Sequence, residues 1–242
     1  MMSDVFLSIT APAYNERENI EKMVTYWESI FARDGIQGEI VIGEDGSTDG
    51  TKDILRELQG KFANLVVVDH AVNRGYGYAL SSAIARSRGA YVLTIDSDGQ
   101  FDAGEYKLLL AEMDKGYDVV TGYRRRKQDR LLRVIADRVL NLMIRVLFRL
   151  PLRDTNCALK LFKGDVARRF MIEARGYPTP TELLVRAQTL GYRIGETGIT
   201  HYERAGGTTK LKALRTSWQM LLFLVYLKYK QMLFGMNVIN DF

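Results

Sequence analysis

A single cysteine, Cys157, excludes an intrachain disulfide and a multi-cysteine zinc site, and it fits a reducing compartment. It reads as a small packed residue and not as a nucleophile. The only histidines, His70 and His201, are isolated and are assigned structural places. No Pro/Gly/Ser-rich linker, repeat or low-complexity tract divides the chain, so 242 residues with 47% hydrophobic content are expected to form one α/β domain. That domain spans residues 1–212, including basic amphipathic helices at about 127–150, and residues 213–242 form a helical tail that is not a separate domain. No secretory pattern precedes the strand-like Val5-Phe6-Leu7-Ser8-Ile9, and a cytoplasmic location is expected.

The net charge of +5 is unevenly spread. Residues 1–120 carry 11 Lys/Arg against 20 Asp/Glu, residues 121–170 carry 14 against 4, and residues 171–242 carry 9 against 5. The middle segment alone is therefore +10. Such a concentration calls for an anionic partner, be it nucleic acid, phospholipid headgroups or a phosphorylated substrate.

Apolar runs at Val5–Ala11, Glu39–Gly43, Leu65–Asp69, Ala90–Ile95 and Tyr117–Gly122 alternate with helix-like segments, the pattern of βαβ units on a mainly parallel sheet. Asn15 and Glu18 have the spacing of a capping box, which predicts a helix reaching about Phe31. In open α/β sheets ligands gather at the carboxyl ends of strands. Pro12 to Glu16, Glu44 to Gly50 and Asp96 to Gln100 all fall there.

Beyond Arg130 the pattern changes. Residues 131–144 are too apolar for an ordinary surface helix, and Arg138, Arg145 and Arg149 gather on one side of a helical wheel. A membrane-interface helix and an amphipathic helix packed on its own sheet both have this profile. Met220 to Leu227 is an unbroken apolar run ended by Lys228 and Lys230, well short of the roughly 20 residues that span a bilayer. It lies on a membrane, packs on the protein or joins subunits.

The chemistry concentrates in Thr94-Ile95-Asp96-Ser97-Asp98-Gly99-Gln100. Side chains at i and i+2 of an extended chain leave on one face, so Asp96 and Asp98 are placed to close on a single cation where the strand ends. Hard oxygen ligands suit Mg²⁺ or Mn²⁺, which keep positions open for phosphate oxygens. Near the second strand end, Glu44 and Asp45 are acceptor-only side chains fit to take hydrogen bonds from the N–H groups of a uracil or guanine ring. Gly46-Ser47-Thr48-Asp49-Gly50 equally suits a plain turn capping the next helix.

With Ala11-Pro12-Ala13-Tyr14-Asn15-Glu16, Glu44 to Thr51, Asn73-Arg74-Gly75-Tyr76-Gly77 and Asp96 to Gln100 in this order, the chain resembles glycosyltransferase family 2 enzymes of GT-A fold over about residues 5–212. The likeness is greatest to dolichyl- or polyprenyl-phosphate sugar synthases, with the dolichyl-phosphate mannose synthase subgroup as the narrower reading. The resemblance implies that Asp96, Asp98 and Gln100 hold the metal and that Pro12, Tyr14, Glu16, Glu44, Asp45 and Ser97 contact the donor. Glu44 stands where the family more often has aspartate. It further implies that Arg124, in Thr121-Gly122-Tyr123-Arg124, meets phosphate and that Arg204 and Lys210 close over donor and lipid phosphates. Asp154, in Asp154-Thr155-Asn156-Cys157-Ala158, is expected to face sugar or acceptor, and Glu182 matches an acidic position near the acceptor. Cys157 and Ala158 depart from the usual pattern, and Glu182 also reads as a helix N-terminal carboxylate.

The implied reaction is metal-dependent transfer of a sugar from a GDP- or UDP-sugar to a polyprenyl phosphate, with inversion, at the cytoplasmic membrane face. A phosphate monoester, with a second pKa near ~6, is already anionic at neutral pH and needs no protein base. A hydroxyl acceptor would need one, for which Asp154 or Glu182 would have to serve. A saccharide acceptor for envelope or capsule polymer is the second reading, and a basic nucleic-acid-binding or scaffolding protein the third. The third leaves the acidic strand-end motifs unexplained, so a nucleic-acid partner is not expected, whereas peripheral membrane contact and a homo-oligomer are.

Overall fold

Strand β1 (Leu7–Ala13) is buried along its whole length because it runs through the middle of a seven-stranded sheet. The computed structural model describes residues 4–125, 131–203 and 213–242. From β1 the chain passes through α1 (Ile20–Asp34), β2 (Gly38–Glu44), α2 (Thr51–Lys61), β3 (Leu65–Asp69) and α3 (Tyr76–Arg86) to β4 (Tyr91–Thr94). A 3₁₀ turn at Ala103–Glu105, α4 (Tyr106–Met113), β5 (Val119–Arg124) and α5 (Leu131–Phe148) follow. Then come β6 (Lys160–Lys163), α6 (Gly164–Ala167), α7 (Thr179–Thr189), β7 (Ile194–Ile199) and α8 (Ala213–Gly235). The strand order is β3-β2-β1-β4-β6-β5-β7, and β6 alone runs antiparallel to its neighbours.

Period-two alternation distributes the strands' side chains between two cores. Ile9, Leu93, Val120 and Leu161 join Trp27 and Ile30 of α1, Leu55 of α2 and Leu109 of α4 on one face. Val92, Val119 and Phe162, one residue out of step, join Leu80 of α3, Ile144 of α5, Leu184 of α7 and Leu224 of α8 on the other. The result is the helix-covered, mainly parallel α/β sheet that the resemblance implied.

The chain winds outward from β1 to β2 and β3, then α3 carries it back across to β4 on the other side. The order therefore reverses between β1 and β4, and a crevice opens at their carboxyl ends, the usual ligand position in such sheets. Gly43 sets how closely α3 approaches: a Cβ there would stand 2.1 Å from the Ala79 carbonyl oxygen. The first turn of α3, with Tyr76, is thereby held against the rim.

The first helix differs from the expectation. It begins at Ile20, behind Asn19, and runs to Asp34, where Gly35 ends it in a left-handed conformation (φ 62°). Asn15 does not cap it. Its backbone is also left-handed (φ 53°), and its side-chain oxygen accepts from Thr48 N at 2.8 Å, because this segment closes against the loop after β2.

Candidate active site

Three strand-end loops are stitched together before any ligand is considered. Asn15 N donates to Ser47 Oγ (2.9 Å), Glu16 N to Thr51 Oγ1 (2.9 Å), and Ser97 Oγ to the Pro12 carbonyl (2.9 Å). Glu44 accepts from Gly46 N (3.1 Å) and Ser47 N (2.7 Å), which shapes its own turn. Gly46 there has φ 69°, and a Cβ would come within 2.7 Å of Asn73 N. Asp45 reaches the loop before α3, accepting from Arg74 N (2.9 Å) and Gly75 N (2.8 Å), with His70 Nδ1 at 3.2 Å. Both carboxylates are buried and engaged by backbone amides. Pro12 is buried, whereas Tyr14 and Glu16 stay half-buried on the crevice side of the same loop.

Asp96 and Asp98 lie at the end of β4, with Ser97 between them turned toward β1. Tyr76 donates its hydroxyl to Asp96 Oδ1 at 2.8 Å, and Asp98 Oδ1 accepts from Gln100 N at 3.1 Å. Burial, then the charge and hydrogen bond of Asp96, raise the Tyr76 hydroxyl well above its ordinary value, so it remains a donor to that carboxylate. The Gln100 amide lies 3.3 Å from His201 Nε2 and donates to the Tyr202 carbonyl at 3.4 Å. Buried His201 packs on Phe101 with ring centroids 5.3 Å apart. His201 was assigned a structural place from sequence. The carboxyl end of β7, which runs parallel to β5, brings it to this rim.

The Arg124 and Asp154 expected near phosphate and acceptor meet each other. Arg124 Nε donates to Asp154 Oδ2 (2.7 Å) and Nη2 to Asp154 Oδ1 (3.0 Å), while Nη2 also reaches Asp137 Oδ2 on α5 (2.8 Å). Tyr177 donates to the other Asp137 oxygen at 3.2 Å. Burial works against the guanidinium charge, but hydrogen bonding to Asp154 and the two carboxylate charges outweigh it and raise the Arg124 pKa.

Glu182 is fully buried in the first turn of α7, accepts from Glu173 N (2.9 Å) and Ala174 N (2.8 Å), and pairs with Arg186 at 2.7 Å. It organises the loop before α7, in keeping with its helix N-terminal reading. Beneath the rim, Lys160 of β6 is fully buried and donates to the Cys157 carbonyl. Cys157 is packed, and burial pushes its thiol up to about 12, so it remains protonated and unreactive. Arg204 and Lys210 lie outside the described residues.

The three expected ligands, Asp96, Asp98 and Gln100, thus share one rim with the Pro12-to-Glu16 loop. Arg124, at the carboxyl end of β5, and Asp154 form a buried ion-pair cluster, and Glu182 is in an internal ion pair at the start of α7.

Residues 8–172 match the sequence family described as Glycosyl transferase family 2. Among curated proteins the chain is 29% identical over 214 residues to the undecaprenyl-phosphate 4-deoxy-4-formamido-L-arabinose transferase of Klebsiella pneumoniae, covering 86% of this chain and 63% of the relative. It is 30% identical over 207 residues to the protein of that name from Edwardsiella ictaluri, covering 85% and 62%. The chain therefore spans less than two thirds of these relatives' length. Among solved structures, glucosyl-3-phosphoglycerate synthase of Mycobacterium tuberculosis with Mn²⁺, UDP and phosphoglyceric acid superposes with a TM-score of 0.70 at 22% identity, covering 93% of this chain and 78% of that one. Its complex with Mn²⁺ and UDP-glucose gives 0.68 at 20%, covering 93% and 79%. At that identity the likeness is one of fold.

Proposed function

Because this chain belongs to glycosyl transferase family 2, we propose that it moves a sugar from a nucleotide-sugar donor to a polyprenyl phosphate, with inversion at the anomeric carbon. The observation that carries the reading is that Asp96, Asp98 and Gln100 follow β4 at the carboxyl edge where the sheet order reverses, in a loop that Ser97 ties to Pro12 of β1. The polyprenyl phosphate is taken from the names of the curated relatives. Those names contain no dolichyl-phosphate mannose synthase, and the narrower subgroup is not carried forward.

The residues present fit a divalent ion. Among the described residues no three His, Cys, Asp or Glu side chains are placed to hold a metal, so the protein would supply a carboxylate pair and the Gln100 amide. Mg²⁺ bound by one or two carboxylates commonly completes its shell with substrate phosphates and water, and Mn²⁺ favours the same oxygen ligands. Such an ion supplies Lewis-acid stabilisation of the charge that grows on the departing diphosphate. Tyr76 fixes one oxygen of Asp96, and the Gln100 backbone amide fixes one of Asp98.

In the reaction, an oxygen of the acceptor phosphate attacks the anomeric carbon, the bond to the diphosphate oxygen breaks, and the nucleoside diphosphate leaves with the electron pair. No proton need be removed from an acceptor whose second pKa is near ~6. The side chains available as bases support this choice. Asp154 already accepts from both arms of the Arg124 guanidinium, and Glu182 is fully buried beside Arg186, so both carboxylates are engaged within the protein.

Contact with lipid would fall to α5, where Val139, Leu142, Met143 and Val146 are exposed next to exposed Arg138, Arg145 and Arg149. Among the described residues no helix is long and apolar enough to cross a membrane. The test is incubation of the purified chain with polyprenyl phosphate, Mn²⁺ and a panel of nucleotide sugars. A lipid-linked sugar is the expected product. Absence of that product with every donor, from folded protein, overturns the acceptor assignment, and sugar transfer to an added saccharide would replace it.

A further inference from the structure

Helix α8 carries two apolar seams. The inner one, Met220, Leu224 and Leu227, is buried in the core beside α5 and α7. The outer one consists of Trp218, Leu222, Val225, Tyr229 and Met232, continued by Met236 in the turn directly after the helix, each more than half exposed. Their spacing is 4-3-4-3-4, the repeat of a helix that packs against another helix. At roughly 100° per residue all six lie within about 40° of a single line about 27 Å long.

We propose that this outer seam pairs with the same seam of a second copy of the chain, making an isologous dimer through α8. Three observations favour a second copy over a lipid surface. First, the exposed positions from Trp218 of α8 to Met236 just beyond it include Gln219, Tyr226 and Gly235 besides the seam, and no Lys, Arg, Asp or Glu. A helix lying on anionic lipid sets cations beside its apolar face, as α5 does with Arg138, Arg145 and Arg149. Second, the seam is held rigidly before any partner arrives. Tyr226 donates to Glu173 (2.6 Å), Lys230 pairs with Glu173, Gln231 donates to Thr189 Oγ1 (2.9 Å), and Phe242 folds back onto Phe234 with ring centroids 5.7 Å apart. Third, the size suffices. The six residues expose on the order of 700 Å² per copy, so two copies present on the order of 1,400 Å² between them, above the ~1,000 Å² total expected of a specific interface. A two-fold axis brings each residue of the seam to the seam itself, so self-complementarity needs no second surface.

The experiment is sedimentation equilibrium of the full chain, free of lipid and detergent, at micromolar to about 100 µM protein. The expected result is twice the 27.6 kDa chain mass, falling to the single mass in V225K and Y229K variants whose far-UV circular dichroism matches the parent. A second measurement guards against misfolding of those variants. The native thiol, Cys157, is buried, so in a V225C protein a short bismaleimide should join two copies through the new thiol, and in an E57C control on α2 it should not. A monomer at every concentration overturns the proposal, as does a dimer that both lysine variants retain. A chain that stays monomeric alone but binds anionic vesicles through Val225 and Tyr229 overturns it in favour of lipid.

Discussion

The Arg124 guanidinium grips both oxygens of Asp154, with Nε 2.7 Å from Oδ2 and Nη2 3.0 Å from Oδ1, and the same Nη2 reaches Asp137 on α5. One cation is thus shared by two carboxylates, and all three side chains are at most a tenth exposed. Removing the cation takes the shared counter-charge from two buried carboxylates, whereas shortening the fork to a single ammonium keeps charge but loses the two-point fit. R124L should lower stability by about 3–5 kcal/mol and R124K by less. Urea denaturation of the three proteins reads this directly, and an R124L midpoint equal to the parent's would show the cluster contributes nothing.

Asp98 contributes through charge at the rim, and its Oδ1 accepts from Gln100 N at 3.1 Å. Asparagine preserves that acceptor and most of the volume but removes the negative charge. D98N should keep the parent's melting temperature in chelator to within a few degrees while losing ~10²-fold or more in sugar transfer. Calorimetric titration with Mn²⁺ should show weakened binding. Undiminished turnover would remove Asp98 from the proposed metal pair.

Burial pushes Lys160 down to about 8, against the opposing pull of charges that include Asp154 and Asp96. In the unfolded chain the same amine titrates near ~10.4. Between those two values the unfolded state binds a proton that the folded state has released, so stability rises with pH across that interval. Below about 8 both states are protonated and the burial penalty is felt in full. K160M should therefore be more stable than the parent at pH 7, with the gap closing as pH approaches ~10.4. Parallel stability curves for the two proteins between pH 7 and 10 would contradict this account.

Burial alone would raise the Glu173 carboxyl. Hydrogen bonds from Lys230, Tyr226 and Arg186 outweigh it and hold the group at about 2. Since the folded-state value is depressed, its contribution is complete above the unfolded value of ~4.3 and fades as pH falls toward about 2. Because Lys230 and Tyr226 belong to α8, acidification should loosen that helix. Amide exchange within α8 should accelerate in E173Q at pH 7, with strands β1 and β2 unaffected. Equal acceleration throughout the chain would instead indicate global destabilisation.

The sheet was legible because its strands are short apolar runs separated by helix-length segments, and β3 falls where Leu65 to Asp69 was read. The pairing of Asp96 and Asp98 rests in sequence on the two-residue period of an extended chain, whereas β4 ends at Thr94 and Ser97 and Asp98 form a turn. The Asn15-Glu18 cap was a local signal overruled by a distant one, since Thr48 N takes the Asn15 oxygen and leaves α1 to start at Ile20. Glu182 carried two readings in sequence, and the burial of Arg186 one turn later places it in an internal ion pair.

From sequence alone came the alternating α/β pattern, the carboxylate pair at a strand end and the basic middle of the chain, because each depends on residues close together along the backbone. Tertiary structure decided the rest: that β6 enters antiparallel between β4 and β5, that His201 reaches Gln100 across 101 positions, and that Arg124 faces Asp154 and Asp137. Those pairings are set by how the sheet is ordered and how its helices pack, and no local period encodes them.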